Sequence, residues 1–280
     1  MSRSVAPTGR RRSQWVVFAM LCGVAASIIY PLYFVLVTSL RSNEDYLQDP
    51  FGLPGQWSLA NYVTLADAYG AGRAFLNSLI VSVVSVSLVL LLAALAAYAL
   101  AKLPVPGARA VTATFVSVML IPGPVLIIPI YLMLSRLELV GSYWGLVLVY
   151  LATGLPFATF FLTISFRGIP NEVIEAARID GAGFYRTLWS VILPMGVAGL
   201  ATLAVLQFLG VWNELIFAFI LIPDQANRLL TPTLASIGER FVTDQPLVSA
   251  GLFITAVVPL LLLSVASKYI MQGLQVGVSR

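Results

Sequence analysis

The chain has 280 residues, of which 59% are hydrophobic and only 10% charged, with a mean hydropathy of +0.94 and a net charge of +4. A soluble domain carries roughly 25% charge because its surface faces water, so a chain this apolar has to bury much of its exterior in lipid. Histidine is absent and Cys22 is the single cysteine, which excludes a Ser-His-Asp arrangement, a His or Cys zinc centre, a histidine proton shuttle and an intrachain disulfide.

Six stretches carry no Lys, Arg, Asp or Glu: 13–40, 74–101, 110–135, 139–166, 187–213 and 245–267. Each has room for the roughly 20 residues that cross a bilayer core. Backbone in lipid must satisfy its own hydrogen bonds, so each is predicted to be a helix. The first core, 16–37, follows an Arg-rich segment as a signal peptide would. It exceeds the roughly 7–15-residue apolar region of such a peptide and holds the bulky Tyr30, Tyr33 and Phe34, so a retained span is expected. The second, 76–100, contains Ala93, Ala94, Ala96, Ala97 and Ala99, small side chains suited to close helix packing. The third, 113–134, is interrupted by Pro122-Gly123-Pro124, which predicts either a kink covered by neighbouring helices or a local unwinding. The fourth, 143–164, carries Tyr143, Trp144 and Tyr150. Such aromatics bind sugar faces, and they also collect at bilayer interfaces, the simpler reading for Tyr143 and Trp144. The fifth, 191–220, runs beyond its charge-free gap, so its outer end is expected to tilt or break. The sixth is 250–270.

The expected fold is therefore all-α: a polytopic membrane protein with six transmembrane helices over 16–270, a short segment 1–15 before them and a tail 271–280 after them. With the N-terminus cytoplasmic, eleven of the 16 basic residues fall on the inner side, including Arg3, Arg10, Arg11, Arg12, Lys102, Lys268 and Arg280. That asymmetry places both termini inside. It also accounts for the basic balance without nucleic acid. Two outer segments are long, 41–73 and 221–244, and either serves to dock an extracytoplasmic partner or is a tethered surface loop.

The most informative inner segment, 166–195, reads FRGIPNEVIEAARIDGAGFYRTLWSVILPM. Pro170 and an Asn171 cap can start a short helix. Glu172 and Glu175 suit the positive end of its dipole, and Val173, Ala176 and Ala177 form one low-relief face. Gly181 and Gly183 stop or turn it before Trp189. A helix lying on lipid would pair bulky apolar residues with Lys and Arg. Alanines with acids at the start fit a groove on a cytosolic protein better.

Glu175-Ala176-Ala177, three residues, Gly181, nine residues, then Val191-Ile192-Leu193-Pro194 resembles the EAA signature of ABC importer permeases, with Val191 where isoleucine is usual. The longer form, with Asp180 before Gly181, is similar to the carbohydrate-uptake branch that includes the MalG-type maltose permeases. Asn61-Tyr62, Asn77-Ser78, Trp212-Asn213-Glu214 and Gly273-Leu274 extend the resemblance along the chain, whereas the tail GLQVGVSR departs from the family's frequent Gly-Ala-Val-Lys-Gly ending. The resemblance implies a type I ABC importer permease fold in a bacterial inner membrane. It also implies partners: a MalF-like second permease, two ABC ATPase subunits that use ATP-Mg, and an extracytoplasmic solute-binding protein. Glu175, Ala176, Ala177, Asp180 and Gly181 would then couple the chain to the ATPase. A bound cofactor is not expected in this chain, nor is catalysis, since no GxxxxGK[ST] loop occurs and lysine is found only at 102 and 268.

Glu214 is the one acid within an otherwise apolar predicted span, beside Asn213, one turn after Gly210 and two after Gln207. An ionisable group in a membrane is costly and so points to function. Two readings stand: a substrate path or outer gate, or a structural hydrogen bond. An ion-coupled secondary transporter would place such groups near mid-membrane and gives the EAA segment no role. A membrane scaffold explains neither that segment nor the broken third span.

Overall fold

The computed structural model describes residues 8–237 and 244–278, with side chains described over 14–237 and 244–267. Of the basic residues that set the orientation, Arg3, Arg240 and Arg280, together with the side chains of Arg10, Arg11, Arg12 and Lys268, lie outside the described residues. Every described element is helical. Four helices are long and apolar enough to cross a membrane, within α1 (Thr8–Ser39), α4 (Ala71–Lys102), α7 (Tyr143–Arg167) and α14 (Gln245–Val278). Two further spans are bent pairs: Ala108–Met119 with Gly123–Arg136 at 90°, and Phe184–Met195 with Val197–Trp212 at 80°. Counting each bent pair as one span gives the six that the charge-free stretches predict.

The chain forms two compact units. The first comprises residues 1–69 and 237–254. In it α1 exposes its side chains from Gln14 to Tyr33, Cys22 included, and starts at Thr8, well before the apolar core at 16. Beyond α1, the short helices α2 (Asn43–Gln48) and α3 (Ala60–Tyr69) are held by the buried Arg41. Its guanidinium donates to Asp45 Oδ2 at 2.9 Å, to the Asp45 carbonyl at 2.8 Å and to the Gly52 carbonyl at 3.0 Å. Asn61 Nδ2 donates to the carbonyls of Ser39 and Arg41, both at 2.8 Å, and Tyr62 meets the Ser39 hydroxyl at 2.7 Å. The segment after the first span is thus a hydrogen-bonded structure with few degrees of freedom.

The second unit, residues 70–236 and 255–280, is built on α4 and α7. Small residues along α4 (Ser78, Ser82, Ser85, Ala93, Ala94, Ala97) and α7 (Ala158, Thr159, Thr163) are buried, which lets the two backbones approach. A Cβ at Gly154 of α7 would sit 2.9 Å from Gln207 Oε1 and 3.4 Å from the Val89 side chain, so the glycine lets Gln207 lie close against α7. Near Asn77 and Tyr143, α4 and α7 grip one loop. Asn77 Nδ2 donates to the Arg228 carbonyl at 3.2 Å, the Leu230 N–H donates to Ser78 Oγ at 2.7 Å, and the Tyr143 hydroxyl donates to the Asn227 carbonyl at 2.9 Å. Tyr143 therefore has a hydrogen-bonding task, while Trp144 beside it is exposed.

The third span consists of α5 (Ala108–Met119), a 3-10 turn (Gly123–Leu126) and α6 (Ile127–Arg136). Pro122 removes a helix donor at the break, and the interruption read from the sequence is a right-angled bend. The fifth span is broken twice. Its first arm runs through α9 (Phe184–Thr187), a π-turn (Leu188–Ile192) and α10 (Leu193–Met195), and it turns at Gly196 into α11 (Val197–Trp212). A Cβ at Gly196 would come within 2.7 Å of the Phe166 ring and 2.9 Å of the Ile192 carbonyl, so the turn requires glycine. After Trp212 the helix stops, and α12 (Ile216–Leu221) begins three residues on. The short α13 (Leu230–Ala235) follows the gripped loop.

Candidate functional site

The EAA segment folds as α8 (Asn171–Ile179), the only strongly amphipathic short helix between two spans among the described residues. Pro170 stands at the N-cap, with extended backbone, just before the first turn. Asn171 does not cap it as the sequence suggested, because its side-chain oxygen is engaged elsewhere, by Lys102. Within α8 the one buried side chain is Ile174, which belongs to the apolar cluster that includes Ala97, Tyr98, Ile169 and Leu188. The opposite side is open. Glu172, Glu175, Ala176 and Asp180 are exposed and Ala177 is half-buried.

The helix ends at a glycine turn. Gly181 has φ +79°, a Cβ at this position would meet nothing within 4 Å, and the Gly181 N–H donates to the Arg178 carbonyl at 3.0 Å. Ala182 N–H donates back to the Ala177 carbonyl at 2.9 Å. This pair of bonds closes the last orphan carbonyls of the helix and needs a left-handed residue at the turn. Five candidate coupling residues, Glu175, Ala176, Ala177, Asp180 and Gly181, therefore lie together on one exposed helix and its turn.

What holds that helix was not legible in the sequence. Lys102, last residue of α4, reaches the connection between α7 and α8. Its ammonium donates to the Ile169 carbonyl, to Asn171 Oδ1 at 2.8 Å and to the Arg167 carbonyl at 3.4 Å. One turn earlier on α4, the buried Tyr98 packs its ring 4.9 Å from that of Phe184, which follows α8. Lys102 read as an orientation charge. The available signal was that it ends a span on the same side as the 166–190 segment.

The second group of candidates divides. Gln207 and Glu214, two turns apart, face α7: Gln207 Nε2 donates to the Gly154 carbonyl at 3.2 Å, and Tyr150 donates its hydroxyl to Glu214 Oε2 at 2.8 Å. Glu214 also accepts from the N–H groups of Phe217 at 2.9 Å and Ala218 at 3.0 Å, capping α12. Gly210 and Asn213 are instead exposed, Asn213 bonding only locally to the Leu209 carbonyl at 2.8 Å. Trp212 between them is buried, stacked on Phe208 and edge-on to Phe75, with its indole N–H donating to the Thr255 carbonyl at 3.1 Å. Among the described residues no cluster of His, Cys, Asp or Glu fits a metal ion.

The profile of the family described as "Binding-protein-dependent transport system inner membrane component" matches residues 90–280. The chain belongs to that family. Among its relatives, the diacetylchitobiose uptake system permease protein NgcG of Streptomyces coelicolor is 35% identical, the match covering 100% of this chain and 93% of that protein. The alpha-glucoside transport system permease protein AglG of Rhizobium meliloti is 34% identical over 80% of this chain and 60% of its own length. In fold the chain matches a bacterial ABC transporter involved in the import of the polysaccharide alginate, with a TM-score of 0.82 over 96% of this chain and 100% of that one, at 22% identity. The protein is thus a multi-pass membrane permease subunit of an ABC importer, as the EAA resemblance implied, and the ion-coupled alternative has no support. Within this permease family, α8 is the element whose sequence carries the resemblance.

Proposed function

We propose that this permease forms half of the import pathway for a carbohydrate and takes its drive through α8 from ATP-binding subunits. The observation that carries the reading is the geometry of α8: a short helix pinned on one side by Ile174, bare on the other, and turned sharply at Gly181. Small exposed side chains at Ala176 and Ala177 let a protein groove close on the helix backbone, Glu175 offers it a charge-assisted hydrogen bond, and Asp180 precedes the turn. Closure of two ATPases on ATP-Mg would draw this helix toward its counterpart on a second, MalF-like permease and rock the bundles between inward-open and outward-open states. The chain contributes no catalytic group and holds no cofactor of its own. Both termini lie in the cytoplasm, by the distribution of basic residues, and an extracytoplasmic solute-binding protein delivers the cargo on the other side. Names of relatives built around diacetylchitobiose and alpha-glucosides favour a small saccharide as that cargo. Gly210 and Asn213, exposed on the fifth span, are the path-lining residues in this reading, with Gln207 and Glu214 holding that stretch against α7.

Quantitative mass spectrometry of the complex captured from native membranes through a tag on this chain tests the proposal. One related permease and two ATPases per copy are expected. Recovery of this chain alone, with crosslinking also finding no ATPase, overturns it.

A further inference from the structure

We propose that Lys102 is a positioning residue for energy coupling: it locks the inner end of α4 to α8, so that α4 carries the displacement of α8 across the membrane. The inference rests on the reading of α8 as the ATPase-coupling helix.

Lysine has three donors and no acceptor, and each finds a partner within one five-residue stretch: the carbonyls of Arg167 and Ile169 and the side-chain oxygen of Asn171. The two carbonyls belong to the end of α7 and the turn beyond it, where backbone acceptors are left without helical partners and the dipole favours a cation. The third acceptor is the first residue of α8. A single ammonium thus spans the whole connection through which a push on α8 has to pass. Such a bond set differs from a snorkelling lysine, whose ammonium sits in water or among headgroups.

A further contact supports the attachment: Tyr98 of α4 packs its ring 4.9 Å from that of Phe184 beyond the Gly181 turn, and Ile174 of α8 is buried in the same apolar cluster as Ala97 and Tyr98. The inner end of α4 therefore holds the chain on both sides of α8. Across the membrane the same helix holds residues 228–230 through Asn77 and Ser78. Between these attachments α4 has no proline, whereas α7 contains Pro156 and the third and fifth spans are bent. At 1.5 Å per residue its 32 residues form a strut of about 48 Å. Movement at the inner end is delivered to the outer loop without an intervening hinge.

The test uses the complete importer, with its partner permease, ATPases and binding protein, in proteoliposomes. Lys102→Met removes the donors while keeping an apolar stem of similar length, Lys102→Arg keeps a cation and donors, and Asn171→Ala removes one acceptor. Each is made with Ala176→Cys and Cys22→Ser, so that disulfide or maleimide crosslinking to a cysteine on the ATPase reports docking. Expected for Lys102→Met is an unchanged crosslink and unchanged basal hydrolysis, with cargo moved per ATP hydrolysed falling about fivefold or more. Arginine should restore most of the loss, and Asn171→Ala should give a smaller one. Undiminished cargo per ATP in Lys102→Met, with the crosslink intact, overturns the clamp alone. Should Lys102→Met fail to assemble, full coupling in Asn171→Ala has the same force. Failure of the parent to crosslink at Ala176 overturns the coupling-helix reading and this inference with it.

Discussion

The hydroxyl of Tyr150 donates to the carboxylate of Glu214 at 2.8 Å, joining α7 to the three-residue break between α11 and α12. The same carboxylate accepts the N–H groups of Phe217 and Ala218. Interhelical hydrogen bonds in membranes average about 0.6 kcal/mol, and losing a helix cap costs about 1 kcal/mol. Tyr150→Phe should therefore lower stability by about 0.6 kcal/mol, and Glu214→Ala, which removes all three bonds, by about 2 kcal/mol. Thermal unfolding in mild detergent, followed by tryptophan fluorescence, distinguishes them. Equal losses for the two variants would contradict the capping role.

Gly181 is constrained by its backbone and not by its neighbours, since a Cβ there meets nothing within 4 Å. An L-residue in the left-handed region costs about 1–2 kcal/mol, asparagine less, and a β-branched residue more. Transport and transport-coupled ATP hydrolysis should fall in the order Asn, Ala, Val, with membrane insertion retained throughout. A Gly181→Val permease that transports at the parental rate would remove the turn from the coupling argument.

Gly199 of α11 touches α7, where a Cβ would lie 2.3 Å from Ser165 Oγ and 3.0 Å from Ser165 Cβ. Gly199→Ala should destabilise by about 1–3 kcal/mol, the usual cost of overpacking. Ser165→Gly costs about 1 kcal/mol on its own, as glycine in a helix does, yet the double variant should recover part of the Gly199→Ala loss. Strict additivity in that cycle would show that the two helices do not meet here.

Arg41 and Asp45 give the segment after α1 a pH response. The hydrogen bond from the Arg41 guanidinium is the main reason the Asp45 carboxyl titrates below its ordinary value of 3.8. A carboxyl whose folded pKa is depressed contributes stability that is present above its ordinary value and is lost as pH falls through the lower, folded one. Protection of residues 42–55 from proteolysis should hold from neutral pH to about 4 and decline below it. Asp45→Asn should be less protected at neutral pH and flatter below. A parallel acid response in the two proteins would assign the loss to other groups.

Much of the fold was legible because a bilayer imposes so simple a rule on composition. Charge-free stretches located the spans, and Pro122 and Pro124 announced the bend in the third. Of the two interruptions of the fifth, the break at its later end is expected from its overrun of the charge-free gap, whereas its physical cause and the turn at Gly196 are harder to foresee. The turn at Gly196 depends on the Phe166 ring, 30 residues earlier in sequence, and the break at 213–215 contains neither glycine nor proline. It exists because Glu214 caps the next helix with its own side chain; a structural hydrogen bond is one of the two readings open for that carboxylate, but nothing in the sequence names Tyr150, Phe217 and Ala218 as its partners. In the coupling segment the exposed residues were visible as a motif, whereas their supports were not. Ile174 looks like any apolar residue, and Lys102 gains its meaning only once α4 is seen to end beside the 167–171 turn.

The grip of α4 on the loop at residues 228–230 also dictates an order of events during synthesis. Asn77 and Ser78 are made 151 and 152 residues before Arg228 and Leu230, the residues they bind. At roughly 5–20 residues per second, the amide and hydroxyl wait about 8 to 30 s for their partners. Through that interval α4 must rest where water or the insertion machinery can serve them, and its Asn77 end can settle only when the segment beyond the fifth span has been made.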